Sequence, residues 1–162
     1  MMNTEFEVKV KIVSPAINKF IPMPYYATEG SAAMDLHACT PDSIMIPAGA
    51  RAKIPTGIAI ELPPDMVALV FPRSGLASKH GISLSNAVGV IDSDYRGEII
   101  CLVKNEGTAG FVVKPGDRIA QLGFFPVHRV KWKIVQELEM TGRGVGGFGS
   151  TGIGLAGDTG EV

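Results

Sequence analysis

Apolar and polar residues alternate with a period of two along much of this chain, a pattern that suits strands with one face inward. Phe6, Val8, Val10 and Ile12 alternate with Glu7, Lys9 and Lys11, which predicts a half-buried strand. Ile58, Ile60 and Leu62 alternate with Gly57, Ala59 and Glu61, and that run stops at Pro63 and Pro64. Further strand-like runs occupy residues 66–71, 97–103, 118–125 and 127–135. Proline and glycine punctuate them at Pro47 and Gly49, Pro55 and Gly57, Gly107, and Pro115 and Gly116. Short strands at such spacing predict an all-β fold, a sandwich or a barrel. Only residues 75–79 leave room for a turn or two of helix.

The character of the chain changes after Met140. Residues 142–160 hold nine glycines and no proline, a composition that a packed strand or helix does not tolerate. The expected organisation is therefore a β domain over residues 1–141 and a flexible glycine-rich arm over residues 142–162. At 162 residues and 46% hydrophobic content the chain is expected to form one domain with a real core. Fifteen basic against sixteen acidic residues leave a net charge of −1 with no polybasic run. That argues against a nucleic-acid polymer as partner, which needs concentrated Lys and Arg. It leaves room for a small anion held by a few placed cations. Residues 1–7 have neither the basic nor the apolar region of a signal peptide, and no apolar run reaches membrane-spanning length. Cys39 and Cys101 stand far apart in apolar contexts, which predicts buried free thiols in a reducing cytoplasm. His37, His80 and His128 lack the spacing of a zinc site.

Chemistry concentrates in four clusters. Residues 85–98 read as a β-hairpin whose turn carries an amide (Asn86), two carboxylates (Asp92, Asp94) and a phenol (Tyr95). A turn made only to reverse the chain needs one Asp or Asn and a glycine. This one supplies donors and acceptors for a planar polar ligand, a general base, and a ring to shape a pocket. In the second cluster Arg73, Ser74 and Gly75 follow a strand and open the short helix, an arrangement suited to an anion; an ordinary turn with Ser74 as N-cap fits equally well. Third, Asp35 lies in an apolar context, where a carboxylate needs a partner, either a structural cation or a nearby metal. Fourth, alternation puts Arg118 and Gln121 on opposite faces of their strand unless it bulges, and Arg118 alone reads as structural.

The arm contains Gly144, Gly146 and Gly149 at dinucleotide-fingerprint spacing, but no helix follows, and Ser150 stands where a P-loop has lysine. Both motifs are rejected. What survives is the physics they share. Glycine backbones approach phosphate closely, Ser150 and Thr151 add hydroxyl donors, and Arg143 adds a cationic fork. Phe148 has no core to join and suits stacking on a base. The competing reading is a plain low-complexity tail.

In this order the clusters resemble the five motifs of the homotrimeric dUTPase family. The matching segments are Ala-Met-Asp-Leu-His-Ala (33–38), Pro-Arg-Ser-Gly-Leu (72–76), Asn-x-x-Gly-x-Ile-Asp-x-Asp-Tyr-x-Gly (86–97), Arg-Ile-Ala-Gln (118–121) and Arg-Gly-x-Gly-Gly-Phe-Gly-Ser-Thr-Gly (143–152). The resemblance implies a jelly-roll-like β-barrel and a homotrimer whose active sites are shared between chains. The reaction it implies is Mg²⁺-dependent hydrolysis of dUTP to dUMP and pyrophosphate, which limits uracil in DNA and supplies dUMP for dTMP synthesis. By the same resemblance Asp92 is the catalytic base. Asn86, with Gly89, Ile91 and the backbone near Ile100, binds the uracil. Tyr95 lies under the deoxyribose. Arg73, Ser74 and Gly75 serve a neighbouring chain's phosphates, and Gln121 adds a phosphate-side contact. Arg143, Phe148, Gly149, Ser150 and Thr151 close over the nucleotide, while Asp35 approaches the metal through water. Ala33 and Met34 depart from the family's usual first motif, and residues 153–162 have no counterpart. Two rivals are a dCTP deaminase, whose relatives lack the Asp-x-Asp-Tyr turn and the Phe-Gly-Ser-Thr arm, and a dUTP-binding regulator with little turnover, which the intact Asp92 and arm oppose.

Overall fold

A computed structural model describes residues 6–147. The chain divides into two units, one running to His128 and one from Arg129. In the first, strands β1 (Lys9–Ile12), β2 (Met34–His37), β3 (Ile44–Ile46), β4 (Arg51–Pro55), β5 (Ile58–Glu61) and β6 (Met66–Pro72) precede a helix, α1 (Ser74–His80). Strands β7 (Ile82–Leu84), β8 (Gly89–Ile91), β9 (Ile100–Asn105), β10 (Phe111–Val113) and β11 (Arg118–Pro126) follow. A four-stranded sheet in the order β2-β11-β6-β8 and a three-stranded sheet in the order β4-β9-β7 are accompanied by the pairs β1-β5 and β10-β3. Every one of these ladders is antiparallel. This is the all-β, jelly-roll-like architecture expected.

Alternation explains the core. Met66, Ala68 and Val70 of β6 point inward while Val67 and Leu69 are half-buried. Cys101, Val103 and Asn105 of β9 do the same. Leu36, Ile54, Ile58, Ile82, Ile99 and Leu122 join them at no more than 2% exposure, each burial contributing roughly 1.5–3 kcal/mol. Both thiols are buried and free as expected, and burial pushes the Cys101 thiol up to about 12. No helix among the described residues is long and apolar enough to cross a membrane.

Several expectations need correction. Residues 85–98 are not a hairpin: β8 pairs with β6 and β9 pairs with β4 and β7, so the intervening loop crosses from one sheet to the other. β1 is exposed along its whole length rather than half-buried, with Val10 and Ile12 near half exposure. Residues 127–135 form no strand. Val130, Trp132 and Ile134 are 75%, 88% and 96% exposed, since alternation specifies a strand only where another strand supplies its hydrogen bonds. Ser74 is not a cap; Arg73 occupies that place, with no side-chain capping bond. Finally, β11 bulges against β2 between Arg118 and Ala120, so that Arg118 lies opposite His37 and Gln121 opposite Asp35. Asp35 and His37 are two apart and share a face. The bulge therefore brings Arg118 and Gln121 to one side after all.

Candidate active site

The β8–β9 loop leaves β8 at Ile91, turns at Asp92 with the Tyr95 N–H donating to the Asp92 carbonyl (3.1 Å), and rejoins the second sheet at Ile100. Arg96 braces the turn by donating to the carbonyls of Ser93 (2.7 Å) and Tyr95 (3.0 Å). Before β8, the Val88 N–H donates to the Asn86 carbonyl at 2.6 Å. Ala87, between them, sits at φ 59°, and Asn86 borders the cavity that opens at this loop. A cavity of about 270 Å³ opens here, lined by Asn86, Gly89, Ile91, Asp92, Tyr95 and Ile100, with Val70, Val90 and Glu98. Six residues expected from sequence thus converge in one place. Val70, Val90 and Glu98 were not foreseen, and only Glu98 left any signal, as the polar residue that closes the 85–98 stretch.

Tyr95 is 43% exposed, so packing does not fix its ring. Its hydroxyl donates to the Glu98 carbonyl at 3.0 Å, and the ring lies against Gly97 so closely that a Cβ there would overlap the phenol. The Glu98 carboxylate in turn accepts the Gly57 N–H at 2.7 Å. The arrangement offers an amide for a base edge, a carboxylate for a water proton and a phenol face for a sugar.

A second cavity of about 280 Å³ is lined by Arg73, Leu76, Phe111, Asp117, Arg118 and Ile119, and shares no residue with the first. Behind it Asp35, 3% exposed, accepts the Arg73 Nε–H at 3.1 Å and an Arg118 Nη1–H at 3.2 Å, one guanidinium to each oxygen. Arg73 Nη1 donates to the Arg118 carbonyl at 3.3 Å. The structural ion pair is therefore what the Asp35 region builds. Beside it His37 is stacked on Tyr25 (ring centroids 6.0 Å apart), and its Nδ1 has no hydrogen-bond partner among the described residues. Burial depresses the His37 pKa, reinforced by Arg118 and Arg73 against the opposing pull of Asp35. Ser74 and Gly75 open α1 and are exposed. Gln121 lies across from Phe71 and Asp35.

Among residues 129–147, Arg143 Nε donates to the Gly146 carbonyl at 3.0 Å within a turn. Phe148, Gly149, Ser150 and Thr151 lie outside the described residues. No group of three or more His, Cys, Asp and Glu among the described residues is placed to hold a metal, and both Asp35 oxygens are already engaged by arginines. Among the described residues, therefore, the side chains form no dedicated metal cage.

A jelly-roll-like β fold with an amide, a carboxylate and a phenol around one open cavity, and two arginines in a second, suits a nucleotide-handling hydrolase. The family model for dUTPase matches residues 19–152, and the chain belongs to the dUTPase family. The deoxyuridine 5′-triphosphate nucleotidohydrolase of Desulfitobacterium hafniense (strain DSM 10664 / DCB-2) is 54% identical over 147 residues, which cover 90% of this chain and 97% of that relative. The Staphylococcus bacteriophage 80alpha dUTPase solved with dUPNHPP superposes with a TM-score of 0.80 at 25% identity, covering 91% of this chain and 99% of that one. A mutant dUTPase from phage phi11 of S. aureus, described as revealing the coordination of a structural Mg(II) ion, shares the fold. Its TM-score is 0.72 at 22% identity, over 83% of this chain and 100% of that one.

Proposed function

We propose that this chain hydrolyses dUTP to dUMP and pyrophosphate, with the β8–β9 cavity as the base, sugar and α-phosphate end of the site. The observation that carries this reading is the convergence of Asn86, Asp92 and Tyr95 on one open cavity. Asn86 reads the uracil edge, aided by the backbone of Gly89, Ile91 and Ile100, and Tyr95 lies under the deoxyribose. Asp92 takes a proton from water as its oxygen bonds to the α-phosphorus and the bond to the bridging oxygen breaks, releasing pyrophosphate. Positioning and charge neutralisation supply most of such a rate.

The phosphate end is shared between chains. Arg73, Ser74 and Gly75 serve a neighbour's triphosphate, joined by Gln121, and Arg143, Phe148, Gly149, Ser150 and Thr151 close over the nucleotide. This reading is supported by the separate linings of the two cavities, with Arg73 in one and Asp92 in the other. It is supported too by apolar side chains that need a cover, among them Trp132, Ile134, Leu138 and Met140, all at least 86% exposed. The assembly proposed is a homotrimer. Mg²⁺ would be held mainly by the triphosphate, supplying neutralisation of phosphate charge, and Asp35 would reach it at most through water.

Asp92→Asn tests the reading. An amide keeps the shape and cannot accept the proton, so kcat for dUTP should fall by at least about 100-fold while a non-hydrolysable dUTP analogue binds with unchanged affinity. A variant retaining more than about a tenth of wild-type kcat would remove Asp92 from the role of base.

A further inference from the structure

We propose that Glu98 is a positioning residue that sets how strictly the sugar subsite rejects a 2′-hydroxyl, an inference that rests on the reading of Tyr95 above. A half-exposed tyrosine on a loop has rotamer freedom that burial does not remove, and a ring free to swing aside would admit a ribose. Gly97, lacking a Cβ, leaves the room in which this ring lies, and the hydroxyl's bond to the Glu98 carbonyl holds it there. The direction of the ring is thus handed back to residue 98.

Residue 98 is held in turn by its own side chain. Oε1 accepts the Gly57 N–H at 2.7 Å, short for an N–H···O bond because the acceptor is charged. Gly57 is a fixed anchor. Its φ is +76°, a Cβ would meet Cys39 Sγ at 2.7 Å and Ile17 Cγ1 at 2.9 Å, and its carbonyl accepts from the N–H groups of Val13 (2.8 Å) and Ser14 (3.1 Å). Beside it the Ile99 carbonyl accepts the Thr56 hydroxyl at 2.7 Å, and the Ile99 N–H donates to Ile58 at 2.9 Å. A continuous line of contacts therefore runs from the buried β4–β5 turn through the Glu98 carboxylate to the phenol. Glu98 also lines the cavity, so the residue borders the site while its carboxylate is engaged with the scaffold.

The test measures kcat/KM for dUTP and UTP in the wild type, Glu98→Gln and Glu98→Ala, each with Tyr95 intact and with Tyr95→Phe. Glutamine keeps an acceptor oxygen at the same reach and should hold the dUTP:UTP ratio within about twofold. Alanine should lower the ratio at least about tenfold, chiefly by admitting UTP. With Tyr95→Phe already in place, alanine should lower it no further, because the hydroxyl through which Glu98 acts is gone. A purely structural Glu98 would depress both substrates alike. The proposal is overturned by an alanine variant whose ratio stays within about twofold of wild type, or whose effect is as large beside Tyr95→Phe. Should alanine fail to fold, Glu98→Asp, which keeps the charge but not the reach, should show the same fall; a wild-type ratio there overturns it equally. A wild type that itself takes UTP as readily as dUTP would instead bring down the reading of Tyr95, and the two failures are told apart by that first measurement.

Discussion

Ala87 holds φ 59° immediately after Asn86, in a left-handed conformation that costs a residue with a Cβ on the order of 1 kcal/mol. That strain sits beside the amide proposed to read the base, where relief would come at the expense of pre-organisation. Ala87→Gly should therefore raise the thermal midpoint, stabilising the fold by roughly 0.5–1 kcal/mol, while raising KM for dUTP more than it changes kcat. Calorimetry and steady-state kinetics on one preparation check both halves. His37 makes a second residue-scale prediction. Burial holds its folded pKa below the ordinary 6.5, so between the two values the unfolded chain binds more protons and stability rises with pH. The stability is complete above 6.5 and is lost as pH falls through 6.5 towards the folded pKa. Urea midpoints of the wild type should fall in that window, and His37→Phe, which keeps a ring against Tyr25 and removes the titration, should flatten the profile there relative to wild type.

At the scale of elements, Asn105 shows how the strands are tied at their ends. It is fully buried, and its amide donates to the carbonyls of Ile46 (2.9 Å) and Ala109 (2.8 Å) while accepting the Gly107 N–H (2.9 Å). Asn105→Ala should lower the unfolding free energy by about 2–4 kcal/mol, the cost of stranding those buried groups. Because Asn105 lines neither cavity, kcat per folded chain should stay put; denaturant titration and active-site counting separate the two. Sequence reading found β5, β6 and β11 within a residue or two, β6 because its alternation repeats and is kept in the fold. It missed β2 and β4, and also β3, β7 and β10, whose three residues cannot display a period. It also over-read residues 127–135, where the pattern was real but the chain offered no partner among the described residues. The site was more legible, since Asn86, Asp92 and Tyr95 are dense in sequence and the family motifs name them. The Asp35 clamp and the Glu98 latch were not, because their partners lie 38 and 41 positions away. The β11 bulge that reunites Arg118 with Gln121 leaves no mark in composition.

For the whole molecule, the division of the proposed site between two cavities carries the sharpest test. A chain bearing Arg73→Ala and a chain bearing Asp92→Asn should each be inactive alone. Mixed with subunit exchange, they should regain activity, about a quarter of wild-type sites being intact under random assembly of a heterologous interface. Exchange verified by mass without any return of activity would sink the shared site. Since β8 belongs to one sheet and β9 to the other, the loop bearing Asp92 and Tyr95 is a tie rod across the sandwich. A repacking of the core that slides one sheet against the other should therefore be felt at Asp92 and Tyr95. Selection for thermal tolerance alone, acting on core positions such as Ile54, Val103 or Leu122, should then drift in substrate preference before it loses expression, so that the hydrophobic interior would answer to the chemistry as well as to stability.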